Sequence, residues 1–256
     1  MRSTVLLLPA LGSGFALLHV ACHPPSASAD HAAPHKNTMR IAQPWPMLAC
    51  TSTLVPMMAN LGPRQTAKEA TVADVLVVLA PGAEEIEAIT VADLLVRAKQ
   101  TVVVASTAAT AVVTGSRGLP LAAHCQLDEV HQRTFDLVYL PGGMGSATTC
   151  RDDPRVQDLA EAQLQAGRML ALICAAPIAL VPRRLCAGRD VTSFPGVRAQ
   201  VESHAKRWLD QQVVVDGPLI TSQAAGTALA LGLALARLLA GDAVSAQVAA
   251  DILAPH

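Results

Sequence analysis

From residue 73 onward, short apolar runs alternate with stretches in which apolar residues recur every third or fourth position. Residues 75–80, 136–140 and 169–173 read as strands buried on both faces, since a run of about five apolar residues leaves no polar face for water. Residues 101–106 are β-branched and read as another strand. Residues 84–99 carry Ile86, Ile89, Leu94, Leu95 and Ala98 at helical spacing. Residues 153–167 open on an aspartate cap and close at Gly167, as a helix does. Residues 111–114 and 119–122 form short strands around Gly115-Ser116-Arg117-Gly118. Residues 190–194 are a further short strand, and 213–215 and 219–221 pair across Asp216-Gly217. Residues 227–239 and 243–253 are Ala/Leu-rich helices. Strands alternating with helices give an α/β fold in three layers: a mainly parallel sheet covered on both faces, with the pair at 213–221 as the antiparallel exception.

Residues 1–72 follow neither period. Arg2, the apolar segment from Thr4 to Leu18 and Ala27-Ser28-Ala29 are the parts of a secretory signal. The remainder is proline-rich, holds just Asp30 and Glu69 as acids, and reads as disordered. Two readings stand for this extension: an export signal with a linker, or upstream sequence ahead of a true start at Met39, Met57 or Met58. The segment is too short and too interrupted by Pro9, Gly12 and Gly14 for a membrane span. The domain proper is expected at 73–256, large enough for a sizeable core.

Composition narrows the function classes. A net charge of −1 and a pI near 6.7 leave no electrostatic footprint for nucleic acid or an anionic membrane. Six aromatic residues in 256 leave little for base stacking. The cysteines show no C-x-x-C and no histidine at ligand spacing, apart from Cys22-His23 in the extension, so no metal site is expected. Gly142-Gly143 lacks the spacing of a dinucleotide loop.

Chemistry concentrates where strands end. Cys174 follows the 169–173 strand at the bend into a helix with Pro177 in its first turn, where unpaired N–H groups favour thiolate; the alternative is a buried structural cysteine. Glu87 lies one turn into the first helix and can lean over the strand ends, whereas Glu84 and Glu85 read as helix-dipole partners facing water. Gly142-Gly143 ends the 136–140 strand, either as a tight turn or as glycines that let backbone N–H groups approach an oxyanion, with the Ala175 N–H as second donor. Ligands of such sheets bind outside the carboxyl ends of the strands, so these residues share one crevice.

Pro81-Gly82-Ala83-Glu84-Glu85-Ile86-Glu87, Leu140-Pro141-Gly142-Gly143, Ala171-Leu172-Ile173-Cys174-Ala175-Ala176-Pro177 and Ile220-Thr221-Ser222-Gln223-Ala224-Ala225-Gly226-Thr227 resemble the ThiJ/PfpI superfamily. The match is to the branch of the parkinsonism-associated deglycase and chaperone, nearest its bacterial YajL-like members, in order from about Ala73 to Ala254. The resemblance implies a flavodoxin-like fold, a homodimer packed through the first helix, a cytoplasmic location and no cofactor. It implies Cys174 as nucleophile, with Glu87 protonated and hydrogen-bonded to the sulfur. It further implies Gly142, Gly143 and Ala175 as backbone donors, and Arg117 and Ser222 at the pocket rim, where they bind an anion or a sulfinate oxygen.

Two departures matter. Many superfamily members have a histidine directly after the cysteine, and here that residue is Ala175; others of this branch bring one from the loop that here reads Thr192-Ser193-Phe194-Pro195. Without either, a conventional peptidase is disfavoured. The expected activity is cysteine-dependent, glutathione-independent detoxification of glyoxal and methylglyoxal, or removal of their early adducts on protein amines and thiols or on nucleotides. The alternative is a redox-sensing chaperone in which oxidation of Cys174 alters binding to unfolded proteins.

Overall fold

The computed structural model describes residues 72–254, so the expectations about the N-terminal extension lie outside the described residues. The elements are β1 (Asp74–Leu79), α1 (Glu85–Arg97), β2 (Thr101–Ser106), β3 (Val112–Thr114), β4 (Pro120–Ala122), β5 (Cys125–Gln126), β6 (Leu137–Leu140), α2 (Met144–Asp152) and α3 (Pro154–Gln165). They continue with β7 (Met169–Ile173), β8 (Asp190–Val191), α4 (Arg198–Glu202), β9 (Arg207–Trp208), β10 (Val213–Asp216), β11 (Leu219–Ser222), α5 (Ala228–Ala240) and α6 (Asp242–Asp251).

Seven strands form one sheet in the order β10-β11-β7-β6-β1-β2-β5. All neighbours are parallel except β10 on β11, where Val213 faces Ser222. Period-two alternation along the apolar runs builds two cores. Val75, Val77, Leu137, Tyr139, Ala171 and Ile173 turn to α1 and α5; Leu76, Val78, Val138, Leu140, Leu170 and Leu172 turn to α2, α3 and the 3₁₀ segment Ala176–Leu180. The fold is therefore the three-layer, flavodoxin-like sandwich expected from the sequence. Chain order reverses on the two sides of β1, with β2 on one flank and β6 on the other. That switch leaves a crevice over the carboxyl ends of β1, β6 and β7.

Several expectations are corrected. The segment after Cys174 is a five-residue 3₁₀ helix, because Pro182 has no N–H for the next turn. The strand expected at 190–194 is only β8, paired with β9 in a separate ladder. The elements α2, α4, β5 and β9 are short or rich in Gly, Ser and Thr, and give no clear periodic signal. The stripe on α1 divides: Leu94, Leu95 and Ala98 are buried, while Ile86 and Ile89 are 56% and 57% exposed on the outer face.

Candidate active site

Cys174 occupies the first position after β7 with φ of 62°, a left-handed conformation that costs a side-chain-bearing residue of order 1–3 kcal/mol. Its neighbours hold it there. The Cys174 N–H donates to the Ser222 carbonyl of β11 at 3.0 Å, and the Cys174 carbonyl accepts the Phe194 N–H at 2.7 Å. Clamped on both sides, the backbone turns sharply and presents the thiol to the crevice.

Glu87 reaches the same point from α1. Glu84 caps that helix by accepting the Glu87 N–H at 2.9 Å, and the buried Tyr139 hydroxyl donates to the Glu87 carbonyl at 3.1 Å, fixing the turn from below. The Glu87 side chain is fully buried. Its Oε2 accepts the Gly142 N–H at 2.8 Å, the carboxyl meets the Cys174 thiol, and Oε1 has no hydrogen-bond partner of its own among the described residues. A buried carboxylate with so few donors is penalised. Burial first, then the Glu84 charge, raises its pKa to about 7, against the thiol and the Gly142 N–H, which pull it down.

The sulfur lies between opposed influences. Burial and the Glu87 charge push the Cys174 thiol up to about 12, while the N–H groups of Gly143 and Ala175 favour thiolate. A short 3₁₀ segment has little dipole to add, so the helix-end stabilisation expected from the sequence does not prevail. Above pH 7 the pair carries one negative charge, and the thiol can form a bond to carbon by passing its proton to Glu87.

The glycines divide their work. Gly142 anchors Glu87 through its N–H, so only Gly143 and Ala175 direct backbone donors at the sulfur. Gly143 has φ of 85° and its position leaves no room for a Cβ beside the Gly82 carbonyl. Arg117 lines the pocket. Ser222 does not: its hydroxyl donates to the Gln212 carbonyl at 2.6 Å and shares a hydrogen bond with Thr227, away from the pocket, and only its carbonyl serves Cys174.

Neither Glu84 nor Glu85 faces water as expected: both are buried, Glu84 as the cap of α1 and Glu85 in a role the sequence reading missed. Glu85 turns inward, accepting from the Ser116 hydroxyl at 3.0 Å and from the Arg117 N–H at 2.7 Å, and so ties the loop carrying Arg117 to α1. Burial works to raise its pKa, but the Arg117, Ser116 and Leu119 donors outweigh it and hold the carboxyl below its ordinary range. Replacing Glu85 with Ala strands these donors. It is expected to lower the melting temperature and speed proteolysis within residues 115–119, as read by calorimetry and limited trypsin digestion.

The profile of the DJ-1/PfpI family matches residues 73–238. The chain belongs to the DJ-1/PfpI family. Protein dj-1beta of Drosophila melanogaster is 38% identical over 181 residues, covering 71% of this chain and 97% of that protein. Its crystal structure superposes with a TM-score of 0.70 at 37% identity, covering 73% of this chain and all of that one. The oxidised DJ-1 of Toxoplasma gondii gives 0.69 at 31% identity, covering 72% and 100%. A Caenorhabditis elegans relative named glutathione-independent glyoxalase DJR-1.2 is 32% identical over 167 residues, covering 65% of this chain and 88% of its own. The narrower YajL-like placement rests on the motifs alone.

Within this DJ-1/PfpI domain the pocket over Cys174 measures about 460 Å³ and takes its titratable lining from Glu84, Glu87, Arg117 and Cys174. Phe194 stands in its wall, where the resemblance placed a histidine in other members. Among the described residues, no helix is long and apolar enough to cross a membrane.

Proposed function

We propose that this chain is a glutathione-independent glyoxalase, converting methylglyoxal to lactate and glyoxal to glycolate and acting also on their early adducts with amines and thiols. One observation carries the reading: a nucleophilic sulfur, a carboxyl with a pKa of about 7 and two backbone N–H donors converge at the floor of one pocket. The likeness to the nematode glyoxalase supports it.

Cys174 sulfur adds to the aldehyde carbon while its proton passes to Glu87, and the resulting oxygen anion meets the Gly143 and Ala175 N–H groups. Glu87 gives the thiol proton to that oxygen anion, and the carboxylate so regenerated removes the hydrogen on the same carbon; it delivers this proton to the former ketone carbon while the hydroxyl proton passes to the former ketone oxygen. The aldehyde carbon is thereby oxidised to a thioester and the ketone reduced to an alcohol, with no external redox partner. Water cleaves the thioester, releasing the 2-hydroxy acid and the thiol. Exposed Ile86 and Ile89 on α1 support the homodimer that the resemblance implies.

The test is lactate formation from methylglyoxal by reduced, glutathione-free protein. Wild type is expected to turn over, and Cys174→Ser to fall to the uncatalysed rate. Retention of turnover in Cys174→Ser overturns the reading. The redox-sensing alternative draws on the same donors, which would suit the oxygens of a sulfinate formed from two equivalents of peroxide. It predicts no lactate, a gain of two oxygens at Cys174, and chaperone activity that follows that gain.

A further inference from the structure

Catalysis as described uses the polar end of the pocket and leaves the rest unexplained. A volume of about 460 Å³ falls within the roughly 300–1,000 Å³ that encloses drug-sized molecules, far more than methylglyoxal fills. The charged groups gather beside the sulfur and at Arg117, whereas Met144, Phe194, Val197 and Ala224 supply apolar wall.

Phe194 is the aromatic member of that wall and is 44% exposed. Its position is tied to the nucleophile, because its N–H donates to the Cys174 carbonyl at 2.7 Å. The ring lies against Gly196, where an added Cβ would come within 2.7 Å of Phe194 Cε1, so a side chain at 196 would displace it. Behind the loop, Trp208 Nε1 donates to the Ser193 hydroxyl at 3.0 Å, and the Arg198 guanidinium stacks 4.3 Å from the Trp208 ring. A braced aromatic face that carries no proton and points into a reactive pocket is suited to contact an apolar substrate group.

We propose that Phe194 sets the substrate class, and that the pocket takes 2-oxoaldehydes bearing an aromatic or branched apolar group on the ketone carbon in preference to methylglyoxal. This rests on the glyoxalase reading above. The aldehyde carbon sits at Cys174 and the apolar group against the Phe194 ring, with the same bond changes as for methylglyoxal.

The experiment measures kcat and KM of the full chain for methylglyoxal, isobutylglyoxal and phenylglyoxal, following lactate, 2-hydroxy-4-methylpentanoate and mandelate, in wild type, Phe194→Ala and Phe194→Tyr. Apolar pocket contacts discriminate by roughly 10–200-fold. Wild type is expected to favour phenylglyoxal over methylglyoxal at least about tenfold in kcat/KM. That ratio should fall by about tenfold in Phe194→Ala, chiefly through KM, and persist in Phe194→Tyr, which keeps the ring. If Phe194→Ala fails to fold, Phe194→Leu makes the same comparison. Lactate production with no preference in wild type, or with a preference untouched by loss of the ring, overturns the role of Phe194 and leaves the glyoxalase reading intact. No turnover of any of the three aldehydes overturns both.

Discussion

Glu87→Gln is expected to lose about 10²–10⁴-fold in lactate formation while becoming less sensitive to alkaline pH than wild type. The loss follows from its place in the proposed reaction, where Glu87 takes the thiol proton and carries another between adjacent carbons, and an amide does neither. In wild type, kcat/KM should rise with pH through about 7 as the Glu87–Cys174 pair loses a proton, and Glu87→Gln should lack that step. The stability effect has the opposite sign. The carboxyl has a pKa of about 7 when folded against 4.5 for the ordinary group. Between those values the folded state holds more protons than the unfolded one, so the stability Glu87 contributes is complete below 4.5 and is lost as pH rises through about 7. That loss is about 3 kcal/mol, or roughly 6–12 °C in melting temperature for a domain of this size. Calorimetry at pH 4.5 and pH 8 should show the wild-type midpoint falling by several degrees more than that of Glu87→Gln. Parallel curves would mean that the carboxyl is not buried as described.

Gly142→Ala is expected to lower turnover about 10²-fold with the thiol still present. A Cβ at 142 would lie 2.5 Å from Glu87 Oε2, 2.6 Å from Cys174 Cβ and 2.8 Å from the Ile173 carbonyl. All three must retreat, and a displacement near 1 Å at a reacting group costs on the order of 10²-fold. Overpacking of this kind also destabilises by roughly 1–3 kcal/mol. Lactate assays, thiol titration and thermal unfolding together test this: turnover about 10²-fold lower, an unchanged thiol count and a lowered midpoint are expected. Near-normal activity would show that Gly142 does not set the Glu87–Cys174 geometry.

Much of the fold was legible because β1, β6 and β7 are buried on both faces, which leaves uninterrupted apolar runs, and because the cap at Asp153 bounds α3. Cys174, Glu87, Gly143 and Ala175 were legible for a related reason, since each follows a strand end that the sheet brings to one edge. The misread residues depend on the direction a side chain takes, which spacing does not encode. Glu85 sits in a first helical turn as a solvent-facing acid would, yet donors from a loop some thirty residues later draw it inward. Ser222 lies within a matching motif, but Gln212 just ahead of β10 and Thr227 just ahead of α5 claim its hydroxyl. Ile86 and Ile89 fit the apolar period of α1 and nonetheless face outward, because Val91, Leu94 and Leu95 already fill the contact with the sheet and α5.

The left-handed backbone at Cys174 places the nucleophile on an uphill slope for selection. At that position glycine would relieve the strain, and the Ser222 and Phe194 backbone hydrogen bonds do not require a side chain. Drift toward a sturdier protein therefore runs directly away from the sulfur. A lineage that keeps cysteine here does so against a standing mutational pull, and a relative that has lost the chemistry would be expected to show its loss first at this residue, as a gain in robustness.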